Sequence, residues 1–440
     1  MSGRTIPSVR GLPSAIQLML SGGPQKLHLY VDNHHRKLGP VYKDTLGGLS
    51  GVFLADPRAA RAVFAAEGPY PKHVIPPPWI LYNQKYSCKR GLFFMDGQEW
   101  HRYRQIMNPI FLKKNLSSSL GEVYNVITDS LLQNLSGFQD KEIENLENIL
   151  YTHSISFTIG SLIGSAYLEN KEFFGEDIGR LGSITNAIFQ CTAELMNFPL
   201  GLAASLKLPV WKNFVNAVDS SLVASRKLTE KMLKIKLNDG ILKDMLIQNL
   251  DVSILQSLIL DLMLAAGDTT AFTTQWALYL LSKNPSAVDS LRRDNSLARG
   301  VLRETLRLYP AAIFLSRYIQ EDLYILDYII PKDELVVISL YTIGRLESVY
   351  PEAENFKPER WLRTNAGHLK GVNEPMAYFP FALGARSCIG RKLAEAQIYQ
   401  TITKIFSKYD VVLEEDVDME LQMVPVPKKP LRLRLAKISR

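Results

Sequence analysis

The sequence has few cysteines, and their spacing fits neither a disulfide framework nor a zinc site. Cys88, Cys191 and Cys388 are the three cysteines among 440 residues, and they lie far apart. An odd number of dispersed cysteines excludes a disulfide scaffold and indicates a reducing compartment, in which one thiol can have a chemical role.

The first 30 residues contain no Asp or Glu and no apolar run long enough for a membrane anchor, which needs about 20 residues. The best run, residues 15–20, is interrupted by Gln17, whereas Arg4, Arg10 and Lys26 are basic. Acid-poor segments with Arg are typical of transit peptides. We predict that residues 1–30 are a targeting remnant or a lead-in, and that residues 31–440 are the functional domain.

The chain also lacks linkers, internal repeats and low-complexity segments. Hydrophobic residues make up 46% of the sequence and charged residues 22%, which is enough for one large core. The net charge is +7, but no nucleic-acid-binding motif accompanies it. This argues against a nucleic-acid partner and favours an acidic protein or an anionic membrane surface.

Hydrophobic periodicity predicts a mainly helical chain with small β-sheets. Helical periods occur at residues 100–107, 118–135, 211–237, 254–283, 298–308 and 389–409. Extended segments are predicted at residues 41–42, 51–54, 323–330, 335–340 and from 411 onward. Residues 254–283 would form a helix about 45 Å long that is apolar on most sides, as in a helix through the core. Asp261 and Asp268 argue against a transmembrane span, and the lack of strict alternation excludes a doubly wound α/β fold.

One segment places a cysteine where the thiolate would be stabilised. Phe381, Gly384, Arg386, Cys388 and Gly390 lie in a loop that leads into the predicted helix at 389–409. Backbone N–H groups and the positive end of a helix dipole favour thiolate over thiol. The glycines permit a sharp turn and a close approach to a flat ligand, and the arginine supplies a charge for a carboxylate. A buried structural cysteine is the alternative.

Residues 381–390 resemble the haem-binding motif of the cytochrome P450 family, Phe-x-x-Gly-x-Arg-x-Cys-x-Gly, at every fixed position. The resemblance implies the cytochrome P450 fold, mainly α with small β-sheets, in a single haem-containing domain. It also implies haem b as the cofactor, Cys388 as the ligand of the haem iron, and a monooxygenase that uses O2. Thiolate ligation favours O–O cleavage at such an iron.

Glu304 and Arg307 are three residues apart and can pair on one helix face. On these residues alone, a solvated surface pair is the alternative. With Arg360 in the segment Phe-Lys-Pro-Glu-Arg, they resemble a Glu–Arg–Arg cluster of the family. The resemblance implies a buried, structural cluster behind the haem.

Asp268 and Thr269 lie in the middle of the predicted core helix. Burying an acid and an alcohol in an apolar helix costs free energy, so such residues are expected to have a function. A helix-capping or surface pair is the alternative. They resemble the acid–alcohol pair that relays protons toward the haem iron in this family. Ala266 stands where the family usually has Gly, which leaves the local distortion of the helix open.

Trp100 and Arg104 are four residues apart and share one helix face, which alone would also fit an amphipathic surface helix. The family uses Trp-x-x-x-Arg to bind a haem propionate, and Arg317 and Arg386 match two further propionate-binding positions. Guanidinium groups pair with carboxylates through charge-assisted, often bidentate hydrogen bonds.

No flavin or nucleotide motif is present, so electrons must come from another protein. The basic pairs Arg299 with Arg303 and Arg391 with Lys392 resemble positions at which mitochondrial members receive an adrenodoxin-type ferredoxin, itself reduced by an NADPH-dependent reductase. Two ordinary solvated helix faces are the alternative. The resemblance implies a location on the matrix side of the mitochondrial inner membrane, with peripheral membrane contact.

Residues 82–84, 90–95, 265–272 and 275–278 resemble the arthropod ecdysteroid 2-hydroxylases, a mitochondrial branch of the family. That implies conversion of 2-deoxyecdysone to ecdysone. A steroid-sized pocket is predicted, with core packing as the alternative for each residue, from Trp79, Ile80, Leu81, Phe94, Leu264, Ala265, Ile313 and Met423. Another lipophilic substrate, a partner-independent haem-thiolate isomerase or dehydratase, and a haem-based sensor are the competing functions.

Overall fold

The computed structural model describes residues 4–46, 49–88, 90–196 and 198–438. The helices in these ranges are α1 Ser14–Leu20, α2 Leu27–Leu38, α3 Pro57–Ala65, α4 Pro77–Lys85, α5 Gly97–Phe111, α6 Leu116–Ser119, α7 Gly121–Ser136, α8 Leu146–Ile163, α9 Ala166–Met196, α10 Leu200–Ser205, α11 Pro209–Leu233, α12 Ile241–Ile247, α13 Val252–Ser282, α14 Pro285–Arg293, α15 Ala298–Leu308, α16 Leu340–Ile343 and α17 Arg391–Lys408.

The strands are short and form four small sheets. Their bounds are β1 Val41–Leu46, β2 Leu49–Leu54, β3 Phe314–Tyr318, β4 Leu323–Ile325, β5 Tyr328–Ile330, β6 Leu335–Ser339, β7 Tyr409–Leu413, β8 Met419–Gln422, β9 Val424–Pro427 and β10 Leu433–Lys437. The largest sheet has the order β1-β2-β6-β3, in which only β2 and β6 run parallel. The predicted fold class, mainly α with small sheets, is confirmed.

Helix α13 is the central helix of the fold and packs against α8, α9, α11, α15 and α17. Gly267 allows a close crossing with α9, because a Cβ there would lie 2.9 Å from Thr185 Cγ2. Trp276 is fully buried on α13, donates to Pro425 O at 2.8 Å and stacks on Tyr309. Within the described ranges, α13 is the one helix long and apolar enough to cross a membrane, but half of the relevant segment is buried in the protein, as in a core helix.

Most predicted elements are present with shifted ends. The segment 298–308 is α15 without change, and 254–283 is α13 within two residues. The segment 118–135 is divided at Leu120 into α6 and α7. The predicted helix at 389–409 begins two residues later, because Gly390 precedes it as the N-cap residue.

Two long helices, α8 and α9, were not among the predicted elements. Helix α8 has polar residues on its buried side as well, among them His153, Ser154 and Thr158, so its sequence shows no clear helical period. Helix α9 contains Gly175, Gly179 and Gly182, which lower intrinsic helix propensity. Both helices pack on α13 and thus depend on tertiary contacts.

The described part of the N-terminal segment packs on the largest sheet. Val9 N–H donates to Lys43 O at 3.0 Å, and Lys43 N–H donates to Pro7 O at 2.7 Å. Lys26 Nζ donates to Met419 O at 2.8 Å. The boundary predicted at residue 30 falls inside α2, residues 1–3 lie outside the described ranges, and a targeting role for residues 1–30 stays a prediction.

Candidate active site

Cys388 lies in a tight loop directly before α17. Its backbone N–H donates to Phe381 O at 2.8 Å, and Ser387 N–H donates to Gly384 O at 3.2 Å. Ala382 and Gly384 have positive φ values of 57° and 76°, which bend the loop back on itself. The loop therefore holds the cysteine in front of the first turn of the helix, where the sequence places it.

Burial raises the pKa of the Cys388 thiol. The backbone N–H groups of Gly390 and Arg391 and the guanidinium of Arg104 oppose this rise. The helix terminus alone thus does not make the thiolate the favoured form, whereas a bound metal cation deprotonates a coordinating thiol. The side chain is solvent-accessible although it lies deep in the protein, so it faces an interior space.

Glu67 joins the cysteine loop to Arg317. Its buried carboxylate accepts hydrogen bonds from the Ala385 backbone N–H and from Arg317 Nε, the latter at 2.6 Å. Gly384 is required beside it, because a Cβ at this position would lie 2.0 Å from Glu67 Oε1. Sequence reasoning missed Glu67, since nothing local marks a residue more than 300 positions before the loop.

The guanidinium groups predicted to bind propionates are close to the cysteine loop. Arg104 Nη2 donates to Ser387 O at 2.6 Å, whereas its buried Nε has no hydrogen-bond partner in the described structure. Arg317 Nη2 is likewise buried without one. Buried donors are normally paired, so these two are free to bind an anionic group.

Arg386 has more partners than the other two arginines. It donates to Met95 O and to Asp96 Oδ1, both at 2.7 Å, and its guanidinium lies 4.3 Å from the ring centre of Trp100. Burial, with a contribution from the nearby Arg317, lowers the pKa of Arg386 to about 10. Arg386 therefore contributes positive charge to the site while most of its hydrogen bonds hold the loop after α4.

His73 is a further group near these arginines that sequence reasoning missed. Burial, together with the positive charges of Arg386 and Arg317, lowers its pKa to about 3. The ring is therefore neutral at physiological pH. It lies edge-on to Phe93, with 4.9 Å between ring centres.

The residues present fit a flat anionic group that is ligated by sulfur. On the side of α17, Cys388 is accessible; on α13, which packs against α17, Ala265 is exposed and Thr269 is half-buried in the middle of an otherwise buried helix. The unpartnered nitrogens of Arg104 and Arg317 supply donors for carboxylates. This donor set fits haem b, for which Cys388 would ligate the iron and Arg104 and Arg317 would pair with the propionates.

Asp268 and Thr269 project from adjacent positions of the uninterrupted helix α13. Asp268 is buried, and its Oδ1 has no hydrogen-bond partner among the described residues. Burial, and then the negative charge of Glu147, raises the pKa of Asp268 well above its ordinary value. Thr269 Oγ1 donates to Ala265 O at 2.7 Å, and α13 continues without interruption through Ala266.

The structure brings Glu304, Arg307 and Arg360 together in one buried cluster. Arg307 donates to both Glu304 oxygens, at 2.9 and 2.7 Å, and Arg360 Nε donates to Glu304 Oε1 at 2.8 Å. Trp361 Nε1 and the Lys357 backbone N–H also donate to Glu304. Because all side chains of the cluster are inaccessible to solvent, the solvated surface pair is excluded.

The predicted docking residues lie on two adjacent helices, α15 and α17. Arg299 is exposed and Arg303 is half-buried. Arg391 pairs with Glu395 at 2.9 Å. The Lys392 side chain is hydrogen-bonded within the protein, because its ammonium donates to the main-chain carbonyls at the end of α5, at 2.6 and 2.8 Å.

Four of the predicted pocket residues belong to one hydrophobic cluster: Trp79, Leu81, Phe94 and Leu264. Sequence reasoning missed a buried charge in this cluster. The guanidinium of Arg90 lies 4.6 Å from the ring centre of Trp79 and 4.7 Å from that of Phe94, and Nη2 is 3.5 Å from Asp261 Oδ1. The apolar wall therefore includes the buried guanidinium of Arg90.

The other predicted pocket residues lie outside that cluster. Ala265 lies one residue beyond Leu264 on α13, and Ile313 is buried just before β3. Met423 is half-buried between β8 and β9, with a φ of 68°. Ile80 is 41% exposed on α4.

An accessible cysteine before a long helix, a buried Glu–Arg–Arg cluster, and an acid–alcohol pair on the core helix define a haem-thiolate protein. The sequence profile of the family described as "Cytochrome P450" matches residues 7–435. The chain belongs to the cytochrome P450 family, and it is a haem b-dependent monooxygenase of the mitochondrial type.

Two curated relatives are similar over nearly their whole length. Cytochrome P450 315a1, mitochondrial, from Drosophila melanogaster is 34% identical over 462 residues, covering 98% of this chain and 88% of that protein. The mitochondrial cholesterol side-chain cleavage enzyme from Equus caballus is 27% identical over 457 residues, covering 95% and 86%.

The solved structure of retinoic acid-bound cyanobacterial CYP120A1 has the same fold. It superposes with a TM-score of 0.78 at 20% sequence identity, covering 99% of this chain and 100% of that one. The predictions of family, fold and cofactor are thereby confirmed. The roles of individual site residues stay predictions.

Proposed function

We propose that the protein hydroxylates an ecdysteroid at C2 and converts 2-deoxyecdysone to ecdysone. The similarity to mitochondrial Cytochrome P450 315a1 along 98% of the chain is the observation that supports this most strongly. The segments that resemble ecdysteroid 2-hydroxylases include residues 90–95 and 265–272, which border the hydrophobic cluster around Trp79. A relative that is named for cholesterol supports a steroid as the substrate class.

Cys388 is proposed as the iron ligand, with Phe381, Gly384 and Gly390 shaping the loop around it. Arg104, Arg317 and Arg386 hold the propionates together with Trp100. For Arg104 and Arg317, this assignment is supported by one buried nitrogen on each guanidinium that has no hydrogen-bond partner among the described residues. The bound haem would activate O2. The chain positions the haem, provides positive charge for its propionates and excludes water from the site.

Asp268 and Thr269 are proposed to deliver protons to the haem side of α13. The raised pKa keeps a proton available on Asp268. The Thr269 hydroxyl shares a helix face with the exposed Ala265, four residues earlier, and so points toward the proposed haem space. To pass a proton on, this hydroxyl exchanges its present bond to Ala265 O for one toward the substrate side.

The hydrophobic cluster around Trp79 is proposed as the wall of the substrate pocket. Aromatic and aliphatic side chains bury the apolar rings of a steroid, and few polar groups set its orientation. Arg90 lies within this wall and is paired with Asp261. Ala265, Ile313 and Met423 are proposed to contact the substrate from α13, the segment before β3 and the β8–β9 turn.

An adrenodoxin-type ferredoxin is proposed as the electron donor, docking on the face formed by α15 and α17. Its acidic surface would meet Arg299, Arg303 and Arg391, whereas Lys392 holds the end of α5 in place. We place the protein on the matrix side of the mitochondrial inner membrane. Exposed apolar side chains that support membrane contact are Leu12, Ile16, Met19, Leu20, Phe198, Leu202 and Leu206.

Substrate-binding difference spectra test the substrate assignment. Purified holoenzyme is titrated with 2-deoxyecdysone, ecdysone and cholesterol, and the low- to high-spin change of the haem is followed. We expect the tightest binding for 2-deoxyecdysone. With ferredoxin, its reductase and NADPH, one oxygen atom from labelled O2 should appear at C2.

Two outcomes contradict the proposal. A spin-state change with cholesterol but none with 2-deoxyecdysone would assign another sterol as the substrate. Conversion of a substrate in the absence of ferredoxin and NADPH would favour the partner-independent isomerase or dehydratase.

A further inference from the structure

A polar cavity lies against α13 on the side of Asp268. Its volume is about 140 Å³, which is room for several water molecules. Asp268 and Gln275 line it from α13, and Glu147 and Asn186 line it from α8 and α9. All four side chains are polar, although α8, α9 and α13 meet here in the protein core.

The α13 side of this cavity has buried polar atoms that lack partners. Asp268 Oδ1 and Gln275 Oε1 are both inaccessible to solvent and make no hydrogen bond within the described structure. The two residues are seven positions apart and therefore lie on the same face of the helix. No Lys or Arg forms an ion pair with Asp268 in the described ranges. A small rotation of either side chain would bring these atoms into contact with water in the cavity, which would satisfy them.

Glu147 is a second carboxyl group in the same cavity. Asn186 Nδ2 donates to Glu147 Oε1 at 2.7 Å. Burial raises the pKa of Glu147, and its charge in turn raises the pKa of Asp268, so the two carboxyls interact. Glu147 is half-buried, whereas Asp268 is almost completely buried.

Exposed residues in the lining, among them Lys428, Lys429 and Pro430, indicate that the cavity is open to solvent on this side. Both lysines lie in the turn that follows β9. Their ammonium groups are directed to Glu420 and Glu415, at 4.0 and 2.9 Å, so neither neutralises Glu147. Glu147 is half-buried and Asp268 is almost completely buried, so Glu147 is the carboxyl group of the cavity that solvent reaches more easily.

We propose that Glu147 is a further proton-transfer residue, which takes protons from solvent beside Lys428 and passes them through cavity water to Asp268. This rests on the proposed relay by Asp268 and Thr269. When Asp268 gives its proton toward Thr269, one proton moves from Glu147 to Asp268, and Glu147 takes one from bulk water. No electron moves, and both carboxyls return to their starting states.

The test compares Glu147→Gln with Glu144→Gln in the holoenzyme. Glutamine keeps the size of the side chain and an acceptor for Asn186, but it cannot be protonated and deprotonated. Glu144 is exposed three residues earlier, outside the cavity, and so is a matched control. The infrared band of protonated Asp268 in the ferric enzyme, assigned with Asp268→Asn, is titrated with pH. Peroxide formed per NADPH is measured in turnover.

In Glu147→Gln we expect Asp268 to titrate at lower pH, because the neighbouring negative charge is gone. We also expect kcat to fall on the order of tenfold with unchanged substrate KM, less than the 10²–10⁴ that a direct acid–base group contributes, and peroxide to rise. Glu144→Gln should match the wild type. Gln275→Leu is a second variant, which removes a polar link of the cavity without changing a charge, and should raise the solvent isotope effect on kcat.

Wild-type titration and peroxide yield in Glu147→Gln would overturn the proposal. A shifted titration with wild-type peroxide would also overturn it, since that result shows a charge interaction without proton delivery. The infrared titration needs no substrate, and turnover can use any compound that changes the haem spin state. A wrong assignment of the steroid therefore leaves this test intact.

Discussion

The Glu67 carboxylate lies against Gly384 so closely that a Cβ on the glycine would be 2.0 Å from Glu67 Oε1. The same carboxylate accepts hydrogen bonds from Arg317 and from Ala385 N–H. Two physical constraints therefore favour glycine at position 384. Its φ is positive, at 76°, and a side chain there would occupy the space of the buried Glu67 carboxylate. Through this contact, the loop is fixed relative to an arginine that is proposed to bind haem.

Gly384→Ala is expected to prevent normal haem incorporation, because the added methyl group displaces Glu67 and disrupts the loop. Gly367→Ala is the matched control, since Gly367 also has a positive φ, 83°, but no atom of the described residues lies within 4 Å of the position of a Cβ. The control should lose only about 1–2 kcal/mol, the cost of a left-handed conformation with a Cβ. The haem-to-protein ratio and Tm are measured; equal behaviour of the two variants would contradict the role of the contact.

Glu304→Gln is expected to lower the free energy of unfolding by about 3–5 kcal/mol, because two buried guanidinium groups lose their counter-charge. Glu415→Gln removes an exposed ion pair to Lys429 and should leave the free energy of unfolding almost unchanged. Denaturant unfolding measures both. A small loss in Glu304→Gln would show that the cluster does not stabilise the fold.

Stability is expected to decrease with acidification through His153. Burial lowers its pKa from 6.5 to about 3, so below pH 6.5 the unfolded state binds a proton that the folded state excludes. The contribution of neutral His153 to the free energy of unfolding is therefore fully present above pH 6.5. It falls by about 1.4 kcal/mol per pH unit as the pH decreases toward the folded-state pKa. His153→Gln should flatten this dependence, because glutamine does not titrate. An unchanged slope in His153→Gln would contradict the assignment.

Charge reversal on α15 tests the ferredoxin face. Arg299→Glu with Arg303→Glu is expected to raise the ferredoxin KM and to reduce its dependence on salt, because opposite charges steer association. Lys392→Glu should also destabilise the protein, since it removes two hydrogen bonds to the end of α5. Arg4→Glu is the control, because Arg4 is exposed in the N-terminal segment and pairs with Asp327 of the β4–β5 hairpin, away from α15 and α17. Unchanged kinetics in the α15 variant would indicate another docking face.

The sequence predicts the parts of the site whose partners are close along the chain. The loop at 381–390 and the pairs Glu304 with Arg307 and Trp100 with Arg104 are recognisable because helix periodicity fixes their geometry. The order of these motifs also identified the family, which the comparisons confirm. The long apolar segment around Asp268 was sufficient to predict the core helix.

The remainder of the site depends on contacts between distant segments. Glu67 meets the cysteine loop, Arg90 meets Asp261, and Glu147 shares a cavity with Asp268; no local pattern in the sequence links these residues. The partners of Lys392 were also unpredictable, because they are main-chain carbonyls. Basic residues that look equivalent in sequence therefore differ in their availability to a partner.

The ferrous–CO difference spectrum of purified holoenzyme tests most directly whether sulfur ligates the haem iron. We expect the red-shifted Soret band of a thiolate-ligated haem in the wild type and in Cys191→Ala, and its loss in Cys388→Ala. Retention of the band in Cys388→Ala, or its absence from the wild-type holoenzyme, would contradict the assignment of Cys388 as the iron ligand.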